Sequence, residues 1–356
     1  MNVHIMSNIR KNEIQLEAEK AHLALNKKSM ICLSVGLGKS KLAINRIEAV
    51  RKLNKNAKIL FTGAREIYYE NFKEELKKWS CQIDNIDMIC NKSIHNYIKH
   101  YDLIIYDECH KETDILYNNL QLLIKINPEV EILGLTGTPP YKTNPIFEML
   151  PVSYTYLIED AVDEKILNDF EIIILKTTMT KTNLSLYNYY YKSYISENTS
   201  AKFSPALSRL KMFLNNIDEK VEVLNKILNK YKNEKTLVYA GSIKQSKLIN
   251  YPAIHSELNK SERKMLYDNF YHCKTGILVN VGMLKESVSI PNLKLSVVLG
   301  IDSSSSSKEQ ILGRVERLDV NETAKLIFIV LKDTVEEKWV LNGFEKFKNK
   351  IKVYEL

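Results

Sequence analysis

Cysteine is scarce in this chain and carries no pattern. Cys32, Cys81, Cys90, Cys109 and Cys273 are odd in number, scattered over 356 residues, and show no C-x-x-C spacing. That argues against a disulfide framework or a zinc site and leaves small reduced packing thiols. Long apolar runs are also missing: none approaches the roughly 18–20 residues a membrane helix needs. The stretch Met1–Gln15 is polar and lacks the apolar core of a secretory signal, so a cytoplasmic protein without membrane contact is expected. No internal repeat of solenoid length is present, and the one low-complexity patch is Ser303–Ser307. Arginine is rare, 8 residues against 43 lysines, which with abundant Asn and Ile points to an AT-rich genome. An arginine kept in such a chain invites a question, because lysine cannot copy its planar fork.

With 45% hydrophobic residues, the chain is large enough for two domains with their own cores. Net charge is +8 and the pI is near 8.9, a mild basic excess that suits a polyanionic partner. Short apolar runs alternate with helical stretches. In the first half the strand candidates are Met30–Leu33, Lys58–Thr62, Leu103–Tyr106 and Glu131–Thr136. In the second they are Thr236–Tyr239, Gly276–Val279, Leu295–Leu299 and Lys325–Val330. Near-continuous apolar strands separated by helices predict α/β architecture with parallel sheets covered on both faces. Between the halves, Leu210, Phe213, Leu214, Ile217, Val221, Leu224 and Leu228 recur every three or four residues, the mark of one long amphipathic helix or a helix pair. The expected division is therefore residues 1–170, a linker and helical insert over 171–233, and residues 234–356.

Two segments carry chemistry. Ser34-Val35-Gly36-Leu37-Gly38-Lys39-Ser40 follows one strand and opens a helix, the context that makes a glycine-rich loop a phosphate site. Backbone N–H groups of Gly36, Leu37 and Gly38 would face phosphate oxygens, Lys39 would reach the outer phosphates, and the Ser40 hydroxyl would ligate Mg²⁺. The general pattern has a further glycine where this chain has Leu33; an ordinary βα turn is the competing reading. Asp107-Glu108-Cys109-His110 follows the run Asp102–Tyr106, at the carboxyl end of a strand where ligands bind such sheets. Asp107 suits a metal and Glu108 an attacking water. Cys109 has no triad context, and packing is the better use of its thiol. Position alone leaves His110 as either a surface or a coupling residue.

These segments resemble the superfamily 2 helicases, DExH-box branch. Gly36–Ser40 looks like motif I, Asp107–His110 like motif II, and Thr136-Gly137-Thr138-Pro139-Pro140 like motif III. Thr62–Arg65 and Asn91–Ser93 resemble the nucleic-acid-contacting motifs between I and II. Lys235–Gln245 resembles motif IV, and Gly282–Pro291 motif V, with Ser287 and Ser289 in place of the usual Gly and Asp. Gln310-Ile311-Leu312-Gly313-Arg314-Val315-Glu316-Arg317 matches motif VI, Q-x-x-G-R-x-x-R, without substitution. The matches run in family order over about residues 10–320. The likeness is nearest to small phage and viral DNA helicases of the UvsW-like branch-migration type, and extends to restriction-enzyme motor subunits.

The resemblance implies two tandem RecA-like P-loop lobes, with ATP and Mg²⁺ between them and nucleic acid across both. It implies that Lys39, Asp107, Glu108, Arg314 and Arg317 are catalytic, and that Gln15 and Gln310 join the loop in holding nucleotide. Coupling falls to His110, Thr136, Thr138 and Glu286. Nucleic acid falls to Arg65, Asn91, Ser93 and Ser242. Gln310, Gly313, Arg314 and Arg317 share one helix face, and Ser307 with Gln310 forms a capping pattern at its start. The alternative for that face is an exposed basic surface. The activity implied is an ATP-driven motor on DNA, single-stranded, forked or branched, with RNA as the alternative substrate. Competing readings are a nucleic-acid-binding scaffold with a decayed ATP site and a motor serving a nuclease or replication partner. Finally, Tyr187, Tyr190, Tyr191 and Tyr194 interleave with Lys192; packing is favoured over base stacking for them.

Overall fold

Strands whose residues are apolar on both faces must be covered on both faces, and each half of this chain does so with a parallel sheet. The computed structural model describes residues 3–63, 67–111, 114–138, 145–197, 204–282, 290–301, 311–312 and 322–356. It divides into two units, Met1–Leu167 and Asn168–Leu356. Among the described residues, no helix is long and apolar enough to cross a membrane.

The first unit runs α1 (Val3–Ala24), β1 (Lys28–Leu33), α2 (Lys39–Leu53), β2 (Ile59–Gly63), α3 (Ile67–Lys78), β3 (Ile86–Cys90), β4 (Leu103–Asp107), α4 (Asp114–Ile126), β5 (Glu131–Thr136), α5 (Ile146–Met149), β6 (Val152–Tyr156) and α6 (Ile158–Asp163). Its strands pair in the order β3-β2-β4-β5-β1-β6, all parallel. Alternate side chains enter opposite cores. Ile31, Leu33, Leu103 and Ile105 pack on one face with Leu42, Ile44 and Ile47 of α2. Met30, Ile104 and Tyr106 pack on the other with Leu116, Leu120 and Leu123 of α4.

The second unit runs β7 (Asp169–Thr177), α7 (Lys181–Ser196), α8 (Pro205–Leu214), α9 (Glu219–Lys230), β8 (Lys235–Tyr239), α10 (Ile243–Leu248), β9 (Ala253–Ile254), α11 (Lys260–His272), β10 (Gly276–Asn280), β11 (Leu295–Val298), β12 (Thr323–Leu331), α12 (Val335–Gly343) and β13 (Ile351–Glu355). Its order is β13-β7-β12-β11-β8-β10-β9, again parallel throughout. Residues 171–177, read from sequence as the start of a linker, lie in β7, paired in register with β12. The reason is visible in Ile172, Ile173 and Ile174, a β-branched run that a sheet accommodates better than a linker. The helical stretch that follows is broken between Leu214 and Glu219, so Leu210 and Leu228 belong to separate helices, α8 and α9. Strands β3, β6 and β13 escaped the sequence reading because they are sheet edges with mixed polarity.

Each unit also buries charge. In the first, Arg46 of α2 grips Glu131 of β5 through both carboxylate oxygens, Nε–Oε1 2.8 Å and Nη2–Oε2 2.9 Å, and reaches Glu19 of α1 at 2.7 Å. His22 touches the same Glu131 at 3.3 Å and Ser29 of β1 at 2.8 Å. In the second, Lys220 and Glu336, both fully buried, meet at 2.5 Å, and Lys220 also donates to the Leu299 carbonyl at 3.0 Å. Burial pushes the Glu336 carboxyl up against the pull of Lys220. Burial likewise opposes ionisation of Glu131, yet hydrogen bonds from His22 and Arg46 hold its carboxyl below the ordinary value. Its contribution to stability is therefore complete above its ordinary value of 4.5, and is lost as pH falls through the lower folded value.

Breaking a buried pair from one side leaves a buried charge without compensation. Glu131→Gln should lower the stability of the first unit by about 3 kcal/mol or more in urea unfolding at neutral pH. Arg46→Met with Glu131→Leu should cost less than Glu131→Gln alone. Equal or greater loss in the double variant would show that the pair contributes more than its desolvation costs.

Candidate active site

The loop between β1 and α2 needs a backbone that only glycine adopts easily. Gly36 has φ +90° and Gly38 has φ +87°, both in the left-handed region. Gly38 caps α2 with no side-chain hydrogen bond, so the first N–H groups of a 15-residue helix face outward at its dipole's positive end. Gln15 reaches over from α1, and its Nε2 donates to the Leu37 carbonyl at 2.9 Å. A methyl group on Gly38 would stand 2.3 Å from that Nε2, so the glutamine lies directly on the loop. The Leu37 side chain is buried in the core, which leaves only its backbone for a ligand. Ser40 is exposed on the first turn of α2. The Ser34 hydroxyl is buried and makes no hydrogen bond among the described residues.

The Lys39 ammonium folds back onto the Leu33 carbonyl at 3.1 Å. It also abuts the segment after β5, since a methyl on Gly137 would lie 3.0 Å from Lys39 Nζ. The neighbouring strand β4 ends in Asp107, which accepts from the Glu108 N–H at 3.0 Å. Glu108 itself takes φ +53°, turning the chain sharply at the strand's end. His110 Nδ1 lies 2.8 Å from Thr136 Oγ1 and 3.2 Å from Glu108 Oε2. The Thr136 hydroxyl donates to the Thr138 carbonyl at 2.8 Å and accepts from the Thr138 N–H at 3.1 Å. A hydroxyl has one proton, so with Thr136 donating to Thr138 the Nδ1 contact has the imidazole as donor, with Glu108 Oε2 also in reach of Nδ1. Three separated stretches of sequence thus form one connected crest: Lys39 against Gly137, and Thr136 through His110 to Glu108.

Cys109 sits below this crest, fully buried. Burial, reinforced by the charges of Glu108 and Asp107, pushes its thiol well above the ordinary value, which removes it as a nucleophile. No group of three or more His, Cys, Asp or Glu side chains that could hold a metal ion occurs among the described residues.

The remaining expectations are distributed differently. Asn91 is buried on the turn Asn91–Asn96, and its Oδ1 accepts from Thr62 at 2.7 Å. It braces that turn against β2, while Ser93 lies half-buried beside it. The Ser242 hydroxyl caps α10, accepting from the Gln245 N–H at 3.0 Å, and also meets Asn216 Oδ1 at 2.6 Å. Sequence reasoning missed this second role, although S-x-x-Q is a capping signal. Arg65, Glu286, Gln310, Arg314 and Arg317, with the capping pattern at Ser307, lie outside the described residues. Of the motif VI stretch, Ile311 and Leu312 are described, helical and buried.

Comparison with known proteins gives the following. Residues 219–319 match the helicase conserved C-terminal domain. The chain is 24% identical over 384 aligned positions to the DNA 3'-5' translocase XPB2 of Sulfurisphaera tokodaii, covering 93% of this chain and 84% of that protein. It is 24% identical over 266 positions to UvrABC system protein B of Mycoplasma mycoides subsp. mycoides SC, covering 68% of this chain and 38% of that protein. Among solved structures, S. cerevisiae Dbp5 bound to RNA and ADP BeF3 superposes with a TM-score of 0.65 at 12% identity, over 100% of this chain and 93% of that one. The ATP-dependent Type ISP restriction-modification enzyme LlaBIII bound to DNA gives 0.64 at 13% identity, over 97% of this chain and 31% of that one. The chain spans about a third of that enzyme's length. The fold of each unit, an all-parallel sheet covered by helices, resembles a RecA-like lobe.

The two glycines of the crest should respond differently to substitution. Gly38→Ala forces a left-handed residue and a clash with Gln15, so thermal stability should fall by about 1 kcal/mol or more, with loss of nucleotide binding. Gly137→Ala meets only the flexible end of Lys39. It should leave the melting temperature nearly unchanged and weaken binding of a fluorescent ATP analogue several-fold.

Proposed function

We propose that this chain, an enzyme of the nucleic-acid-dependent ATPase kind to which superfamily 2 helicases belong, is a DNA translocase that remodels or unwinds forked and branched DNA. The observation that carries the reading is the connected crest of the first unit. A phosphate loop, a carboxylate pair and a threonine segment meet there through Lys39, His110 and Thr136.

On this reading the loop N–H groups and Lys39 hold the ATP phosphates, while Gln15 steadies the loop and faces adenine. Ser40 and Asp107 would hold Mg²⁺, which supplies charge neutralisation at the phosphates. Glu108 orients and deprotonates the attacking water. His110 ties that carboxylate to Thr136, so a shift of the segment through Thr138 repositions the base. By the motif resemblance Gln310, Arg314 and Arg317 would serve the γ-phosphate, since a guanidinium can bond two of the oxygens over which charge spreads. By the same resemblance Glu286 would be a coupling residue, and Arg65, Asn91, Ser93 and Ser242 would contact nucleic acid. Asn91 and Ser242 serve there chiefly as braces, given their internal hydrogen bonds.

DNA is favoured over RNA by the relative described as a DNA translocase, while the net positive charge suits either polyanion. The DExH branch and a phage or viral UvsW-like role rest on the motif resemblance alone. A second reading, a motor serving a nuclease, is supported by the restriction-modification enzyme, of which this chain matches about a third. ATPase assays with single-stranded, duplex, forked, four-way and RNA ligands test the proposal. Stimulation greatest with forked or four-way DNA supports it, and stimulation by RNA alone overturns it. A nuclease that co-purifies would favour the second reading.

Lys39→Ala should abolish turnover. Glu108→Gln should retain ATP binding while hydrolysis falls about 10²–10⁴-fold. Arg314→Lys, which keeps charge without the fork, should impair hydrolysis substantially and leave nucleotide-free DNA affinity intact. DNA binding should weaken steeply with salt and ignore sequence. Wild-type turnover in Glu108→Gln, or salt-insensitive binding, would contradict these assignments.

A further inference from the structure

Helices α7 and α8 of the second unit lie antiparallel. Asn183 near the start of α7 donates to Glu219 beyond the end of α8, at 2.8 Å. At the other end, Glu197 accepts from the Ala206 N–H at 3.1 Å and from the Ser204 hydroxyl. The tyrosines of α7 divide between two sides. Tyr187 is buried, accepts the Val335 N–H at 3.1 Å, and stacks with Tyr191 at 5.5 Å; that side is packing. The other side faces outward. Tyr189 is 69% exposed and stands edge-on to Tyr190 at 5.4 Å, and Tyr190 leans on Phe213 of α8 at 5.3 Å.

Beside these rings opens a groove of about 330 Å³, lined by Tyr190, Phe213, Arg209, Asn216 and, from α10, Lys244. Helices α7 and α8 carry Lys181, Lys192, Arg209 and Lys211 and no carboxylate. Of the nearby acids, Glu197 caps α8 and stands 3.7 Å from Arg209, whose side chain stays 53% exposed, while Asp218 lines the groove. Arg209 and Lys244 face one carboxylate in the lining, Asp218, while Glu197 and Glu219 at its margins are engaged with Arg209 and Asn183. An accessible ring beside cations is how sequence-tolerant single-strand binders hold bases and phosphates together. The groove is at the small end of ligand sites, a size for a nucleotide rather than a helix of a protein partner.

We infer that the α7–α8 pair carries a site for unpaired DNA, with bases stacked on Tyr189 and Tyr190 and phosphate held by Arg209 and Lys244. The inference rests on the DNA reading above and adds to it a contact made outside the helicase-like motifs. It adds base stacking to the packing that Tyr190 makes on Phe213.

Fluorescence anisotropy of labelled oligo(dT), without nucleotide, tests it. Tyr189→Ala, whose ring supports no core residue, should weaken binding by about fivefold or more, and Tyr190→Ala likewise. Tyr189→Phe should bind like wild type, because the ring is retained. Arg209→Ala and Lys244→Ala should each lower the salt slope by about one. Affinity for a blunt duplex should not change in the tyrosine variants. If Tyr189→Ala and the double Tyr189→Ala/Tyr190→Ala both bind oligo(dT) like wild type, or lose duplex and single strand equally, the site is refuted and the helices serve another partner. If the wild-type chain neither binds oligo(dT) nor is stimulated by any DNA, the DNA reading itself fails.

Discussion

Parallel pairing is the constraint on which the first unit depends. When every strand runs the same way, every strand ends at the same edge, and residues far apart in sequence meet there. The order β4-β5-β1 places the segments after residues 33, 106 and 135 side by side. Both faces of these strands are apolar and covered, so polar chemistry has only the edge to occupy. Gly36 and Gly38 let the loop curl back over that edge, and Gln15 fixes it from α1.

The strand β5 links this chemistry to the fold's internal charge. Its first residue, Glu131, is held by Arg46 and His22 in the interior. Its last, Thr136, meets His110 at the crest. The position of Thr136 relative to Glu108 is fixed by the ladders of β5 with β1 and β4, and the ion pair ties the far end of the same strand to α2. That is a useful property in a site where a proton and a phosphate must be aligned within a fraction of an ångström. The second unit repeats the device with Lys220 and Glu336, which join α9 to α12 beneath β12.

Sequence revealed most of this where a local rule sufficed. The glycine loop between β1 and α2 was legible because glycine and lysine follow an apolar strand, and the position of the carboxylate pair because it ends one. The central strands were legible as unbroken apolar runs. Edge strands such as β13, with Lys352 and Glu355 among its residues, were not, because half-exposed strands lack that signature. Contacts between distant residues were also hidden. Nothing near Thr62 announces Asn91 as its partner, and Asn216 lies 26 residues from the Ser242 it meets. The tyrosines of α7 share a helical period yet divide between packing and solvent, a split decided by where α8 and α12 lie. The sharp turn at Glu108, with its positive φ, has no sequence signal of its own.

The central claim is that the crest acts as one unit, with Glu108, His110 and Thr136 joined so that ATP turnover responds to DNA. A double-mutant cycle on the DNA-stimulated hydrolysis rate measures this directly, using His110→Ala, Thr136→Val and the combination. A connected crest predicts that the double variant is no slower than the slower single variant, because either change alone already breaks the bridge. Losses that multiply in the double variant would show that the two residues act independently, and would contradict the claim.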